Sequence, residues 1–124
     1  MNSNTKQTDV HRMDFEIGGE ACLDIIAVVD GRVVGICHVA QLETKIAWIE
    51  KLYVAPQYRA QGIGSRMLQA VFAECVIRGK EAVSLSVDED NFGAIVFYKK
   101  NCFRRSTIYA NGKASTWTKF MECE

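Results

Sequence analysis

Apolar positions along this chain follow two different periods, and the change from one to the other marks out the elements. Ala21 to Val29 and Val33 to Val39 are rich in apolar and β-branched residues, with Asp30-Gly31 between them. Two such runs predict strands, and Asp-Gly predicts the hairpin that joins them, because a type I′ turn needs positive φ at both central residues. Met13 to Ile17 predicts an earlier strand ended by Gly18-Gly19, and Ile46 to Val54 a further strand of the same meander after a weaker turn at Glu43-Thr44-Lys45. Pro56, the only proline, closes that strand, since it has no amide to give to a ladder. Residues 1–12 are polar and read as a flexible leader, which leaves residues 13–124 as one domain.

From Gly64 onward the period lengthens. Leu68, Val71, Phe72, Cys75 and Val76 recur three and four residues apart, the spacing of one helix face, and Arg78-Gly79 places a cation and a breaker where a helix end favours both. Ala82 to Val87 reads as a short strand, Asp88-Glu89-Asp90-Asn91 as a polar loop able to cap the next helix, and Phe92 to Lys100 as that helix. Its Ile95, Val96 and Tyr98 are expected near one another. Phe103 to Tyr109 and Ala114 to Met121 end the chain as a hairpin around Asn111-Gly112. The order strands, helix, strand, helix, strands predicts an α/β or α+β domain with a mixed sheet.

Composition then excludes several functions. Fifteen basic residues balance fifteen acidic ones, so no nucleic-acid partner is expected. No apolar run is long enough to span a bilayer, and the polar N-terminus lacks the apolar middle of a signal peptide; the reading is a cytoplasmic protein with no membrane partner. Five cysteines (Cys22, Cys37, Cys75, Cys102, Cys123) are scattered without a C-x-x-C pair and read as buried free thiols. His11 and His38 have no third ligand nearby in sequence, so no metal is expected.

The chemistry concentrates in Arg59-Ala60-Gln61-Gly62-Ile63-Gly64-Ser65-Arg66, between a predicted strand and a predicted helix. Such a turn makes an anion site, because the first helix amides have no intrahelical partner and the macrodipole adds partial positive charge. A Walker loop would need Gly-Lys-Ser/Thr where the chain has Gly64-Ser65-Arg66. A Rossmann fingerprint would need a third glycine at Met67 and a parallel unit upstream. Gln/Arg-x-x-Gly-x-Gly/Ala after Leu52-Tyr53-Val54-Ala55-Pro56 instead resembles the cofactor motif of the GNAT superfamily of N-acetyltransferases. Asn91-Phe92-Gly93-Ala94-Ile95-Val96-Phe97-Tyr98-Lys99-Lys100-Asn101-Cys102-Phe103 resembles that family's second motif, with Cys102 where glycine is usual.

The resemblance, over roughly residues 20–121, implies a mixed, mostly antiparallel sheet flanked by helices, with a V-shaped splay at the cofactor strand, and acetyl-coenzyme A as co-substrate. It implies that the amides of Gln61, Gly62, Ile63, Gly64 and Ser65 hold the pyrophosphate, with Arg59 and Arg66 near phosphates. Leu52 and Val54 would lie on the strand whose free backbone pairs with the pantetheine arm. Asn91 either bonds the same arm or caps its helix. Tyr98 falls on the family's tyrosine position, where a phenol of pKa about 10 can protonate a departing thiolate; a core tyrosine is the plainer alternative.

Glu50, by strand alternation, is expected on the face of Leu52 and Val54, as a base for the amine or as a solvated surface residue. Trp48 to Val54 is similar to the corresponding strand of aminoglycoside 6′-type acetyltransferases, where an acid helps hold the amine. Asp88 and Glu89 are the reserve bases. Trp48, Tyr53 and Trp117 either floor an acceptor pocket or are buried aromatics. The function implied is direct acetyl transfer to a primary amine, whether a small amine, a polyamine, an aminoglycoside or a protein amino group. The alternative is a non-catalytic acyl-coenzyme A binding or sensing module. Family members usually carry two helices ahead of the Ala21 strand that wall the acceptor site; their absence here makes an open site, or one completed in a homodimer, the expectation.

Overall fold

The computed structural model describes residues 7–121. Four strands, β1 (Thr8–Ile17), β2 (Glu20–Val29), β3 (Arg32–Ala40) and β4 (Ile46–Val54), run as an antiparallel meander. Helix α1 (Ile63–Ile77) then crosses to β5 (Ala82–Asp88), which lies parallel to β4; α2 (Phe92–Lys100) leads to the hairpin of β6 (Arg104–Ile108) and β7 (Ala114–Phe120). The sheet order is β1-β2-β3-β4-β5-β7-β6. Asp30 and Gly31 both take positive φ, 52° and 76°, as a type I′ turn requires.

The first strand begins at Thr8, five positions earlier than the apolar pattern predicts, so residues 8–12 of the expected leader are strand and residues 1–6 lie outside the described residues. The cause is electrostatic. Arg66 and Glu74 of α1 and its C-cap Arg78 lie on one row at multiples of four and reach β1. Arg66 donates to Thr8 O at 2.6 Å, Glu74 accepts from Arg12 at 2.7 Å, and Arg78 pairs with Asp14 at 2.5 Å. Held by its ladder with β2 and by ions to α1, the start of the strand carries only a weak apolar signature.

Both helices pack together. A Cβ on Gly64 of α1 would meet the Phe97 ring of α2 at 3.0 Å, and Tyr98 and Phe72 both pack on Phe103. The core lies between α1 and the sheet, from Leu23, Ile25 and Ala27 through Cys37 and Val39 to Val83 and Leu85, with Met67, Leu68, Val71 and Cys75 supplied by the helix. Val76 and Val96, expected on the apolar faces, are 62% and 65% exposed; Met67 and Phe97 take the inward places. Cys22, Cys37 and Cys75 are buried free thiols as expected, whereas Cys102 is exposed and Cys123 lies outside the described residues.

Two irregularities shape the site. First, β4 pairs with β5 only from Ile46↔Ala82 to Trp48↔Ser84, while β5 stays paired with β7 along its full length. Beyond Trp48 the sheet therefore opens into the V-shaped gap that the resemblance implies. Second, β4 bulges: His38 opposes Lys51 and Val39 opposes Ile49, which leaves Glu50 as the extra residue. A one-residue insertion reverses the alternation that follows it. Ile49, Leu52 and Val54 all face the helix-side core, and the Glu50 carboxylate reaches His38 on the other face. The expectation that Glu50 shares a face with Leu52 and Val54 is thus overturned by the bulge.

Candidate active site

A cleft of about 860 Å³ opens where the end of β4, the start of α1 and the start of α2 converge, lined by Leu52, Val54, Arg59, Gly62, Ser65 and Tyr98 among others. Gly62 is the helix N-cap in the left-handed region, φ 83°, and the first helical bond runs from Arg66 N to Gly62 O at 3.0 Å. The amides of Ile63, Gly64 and Ser65 precede that ladder and point out of the helix end, the arrangement that favours an anion. No acidic side chain stands in the first turn to compete with one. Beside these amides, the β4 edge from Ile49 to Val54 has lost its β5 neighbour, so it presents free ladder groups toward the gap.

The remaining predicted cofactor contacts divide. Arg59 lines the cleft, but its Nε donates to Val54 O at 2.7 Å and its guanidinium lies 5.5 Å from the centre of the Tyr53 ring. Gln61 turns its side-chain amide back to Gln57 O at 3.2 Å, leaving its backbone as the part available to a ligand. Asn91 caps α2, its Oδ1 accepting from Ala94 N at 3.2 Å. Arg66 is engaged with β1.

Tyr98 reaches into the cleft from α2. Burial pushes its phenol up to about 12, with the neighbouring Cys37 thiol adding in the same direction, so the hydroxyl keeps its proton at any physiological pH. That favours a donor and excludes a base. The backbone holding it ends in a Schellman motif: Cys102 N donates to Lys99 O, Phe103 N to Tyr98 O at 2.9 Å, and Cys102 takes φ 73°. Cysteine in the family's glycine position therefore leaves the turn unchanged and adopts the conformation glycine would.

Of the reserve bases, Glu89 is bound into the fold. It accepts from Ser115 Oγ, which in turn accepts from Trp117 Nε1 at 2.8 Å, and it pairs with Arg105 at 3.0 Å. Asp88 ends β5, its carbonyl accepting from Asn91 N. Trp117 is buried in the core, Tyr53 is 44% exposed, and Trp48 is half-buried on the face away from the helices. There it borders a second hollow, of about 530 Å³, with Ile46, Ser84 and Thr116.

Glu50 stands at the mouth of the gap, on that helix-free face, with Oε1 3.5 Å from His38 Nε2; His38 Nδ1 lies 2.7 Å from Asp24 Oδ1. Sequence reasoning treated His38 only as a metal ligand without partners. Counting outward from Asp30-Gly31 pairs Asp24 with Cys37, but a bulge between Ala27 and Val28 shifts the register so that Asp24 opposes His38. Among the described residues no group of three or more His, Cys, Asp or Glu is placed to hold a metal ion, and no helix is long and apolar enough to cross a membrane.

A strand edge freed beside an amide-rich helix start, with Tyr98 lining the same cleft, has the chemistry to hold an anionic group and an extended chain with amides to pair. Residues 2–102 match the model of the acetyltransferase (GNAT) family, and the chain belongs to that family. An uncharacterized N-acetyltransferase of Methanocaldococcus jannaschii is 30% identical over 67% of this chain and 39% of its own length. Mycothiol acetyltransferase of Clavibacter michiganensis is 34% identical over 64% of this chain and 26% of its own. The chain thus spans well under half the length of these two relatives. The PaiA N-acetyltransferase of Thermoplasma acidophilum, solved in complex with coenzyme A, superposes with a TM-score of 0.74 at 23% identity, over 80% of this chain and 60% of its own.

Proposed function

We propose that this chain transfers an acetyl group from acetyl-coenzyme A directly to a primary amine. The observation that carries the reading is the convergence in one cleft of the start of α1, the unpaired edge of β4 and Tyr98. The amides of Gln61 to Ser65 bind the pyrophosphate; the backbone of Leu52 and Val54 pairs with the pantetheine arm; Arg59 swings from Val54 O toward a phosphate. Acetyl-coenzyme A supplies a thioester activated toward amines. Tyr98 donates its proton to the thiolate that leaves, and Glu50 takes one from the amine, which enters from the helix-free face beside Trp48. That face suits a primary amine on a carrier with an apolar or aromatic part, because Trp48, two residues before Glu50, lines a hollow there with Ile46, Ser84 and Thr116.

Stabilisation by ligand tests the donor. At one hundred times its dissociation constant acetyl-coenzyme A adds about 2.7 kcal/mol and visibly raises the melting temperature. NAD and ATP are expected to give no such shift, and the opposite pattern would defeat the reading. Release of free thiol with a panel of primary amines tests the transfer itself. A second reading, an acyl-coenzyme A binding module, is favoured by one feature: β1 turns straight into β2 through Gly18-Gly19, without the helices that wall an acceptor site in the family. Coenzyme A stabilisation without thiol release from any amine would select it.

A further inference from the structure

Asp24, His38 and Glu50 come from three adjacent strands and meet on the face of the sheet that carries neither described helix. His38 alternates with Cys37 and Val39, which belong to the helix-side core, so its ring projects the other way and packs on Phe15 of β1 with ring centres 5.6 Å apart. His38 and Asp24 side chains are each 20% exposed, Glu50 49%. The charged and titratable groups facing the ring are Asp24 on β2, Glu50 and Lys51 on β4, and the Cys22 thiol, whose own ionisation is held back by burial and by the carboxylates of Glu50, Glu20 and Asp24.

The geometry assigns the proton. Asp24 accepts from Nδ1–H, so in the neutral ring Nε2 turns its lone pair toward the Glu50 carboxylate. Two acceptors held at ion-pair distance repel unless a proton lies between them. We propose that His38, fixed by Asp24, is a positioning and relay residue that draws through Glu50 the proton shed by the acceptor amine.

The proposal rests on the acetyl-transfer reading, and its proton count closes. An acceptor ammonium gives its first proton to Glu50; the proton passes to His38 Nε2, where Asp24 stabilises the imidazolium, and then to water. As the nitrogen–carbon bond forms and the carbon–sulfur bond breaks, the thiolate takes the Tyr98 proton, and the second proton lost by nitrogen restores Tyr98 through water. An imidazole coupled to the carboxylate makes the pair a stronger base than a carboxylate alone.

The test is the pH dependence of kcat/KM for thiol release. In His38→Gln it is expected to fall by roughly 100-fold at neutral pH. Its acidic limb should move to lower pH as Glu50 is left to act alone, and the stabilisation by coenzyme A should be retained. Asp24→Asn, a change of nearly equal volume, moves both quantities in the same direction. His11→Gln, on β1, leaves the profile as in the parent. A parent-like profile in a folded His38→Gln or Asp24→Asn protein would overturn the relay while leaving acetyl transfer intact. A parent protein that neither binds coenzyme A nor releases thiol would overturn both.

Discussion

Phe103 closes the helix that carries Tyr98: its amide donates to the Tyr98 carbonyl at 2.9 Å and its ring meets the Tyr98 ring edge-on, with centres 5.5 Å apart. One residue thus fixes both the backbone and the ring of the proposed acid. Tyr98→Phe keeps this packing and removes only the hydroxyl. Turnover is expected to fall by roughly 100-fold or more, the low end of what general acid catalysis contributes, with coenzyme A affinity unchanged. Steady-state kinetics beside ligand-induced melting shifts check this; unaltered turnover would remove Tyr98 from the mechanism.

Cys102 occupies the left-handed region at φ 73°, where a side chain costs about 1–2 kcal/mol relative to the right-handed region. Glycine pays no such cost but loses more entropy on folding. Cys102→Gly is therefore expected to raise stability by about 0.5–1 kcal/mol, read as a higher urea midpoint at constant slope. A lower midpoint would show that the exposed thiol makes contacts that matter.

Gly64 joins the cofactor loop to the second motif. Its Cβ in Gly64→Ala would stand 3.0 Å from the tip of the Phe97 ring, which must give by a few tenths of an ångström, at an expected cost of about 1 kcal/mol. Because the same two helix ends line the cleft, coenzyme A affinity should fall with it. Adding Phe97→Leu makes room, so a double-mutant cycle is expected to show favourable coupling; strict additivity would mean the two residues do not meet as described.

Alkaline stability follows from three buried acids. Folding raises Cys37 from 9.0 to about 12, Cys75 from 9.0 to about 11 and Tyr98 from 10.0 to about 12, in each case chiefly because burial disfavours the anion. The unfolded chain releases these protons first, so it binds fewer of them than the native state between pH 9 and 12 and stability falls as pH rises. The contribution is complete below about pH 9 and is lost by about pH 12. Tyr98→Phe should flatten the descent above pH 10, measured as the urea midpoint against pH; an unchanged slope would place the phenol in solvent.

The chain order, the hairpin turns, the boundaries of β4 and α2, and the two glycine- and asparagine-led motifs were legible in the sequence because each rests on local chemistry. Gly62 takes φ 83° at the start of α1, and Asn91 caps α2 through its own side chain. The Asn91 cap is one of the two readings the residues allowed, and it engages only the side-chain oxygen. The strand at residues 8–12 escaped notice because α1 holds it through Arg66 and Glu74, with Val10 its one apolar contact to the core. Periodicity detects a hydrophobic face and is blind to an ionic one.

What the sequence by itself determined is therefore the donor half of the proposed site: a glycine-led helix start with unbonded first amides and a tyrosine on the following helix, each set by residues close together in the chain. Only the tertiary structure decided the other half. The bulge before Val28 aligns Asp24 with His38, and the bulge at Glu50 turns its carboxylate onto the same face. Neither leaves a mark in hydrophobic pattern, because an inserted residue changes register, not composition, and register is a property of two strands together.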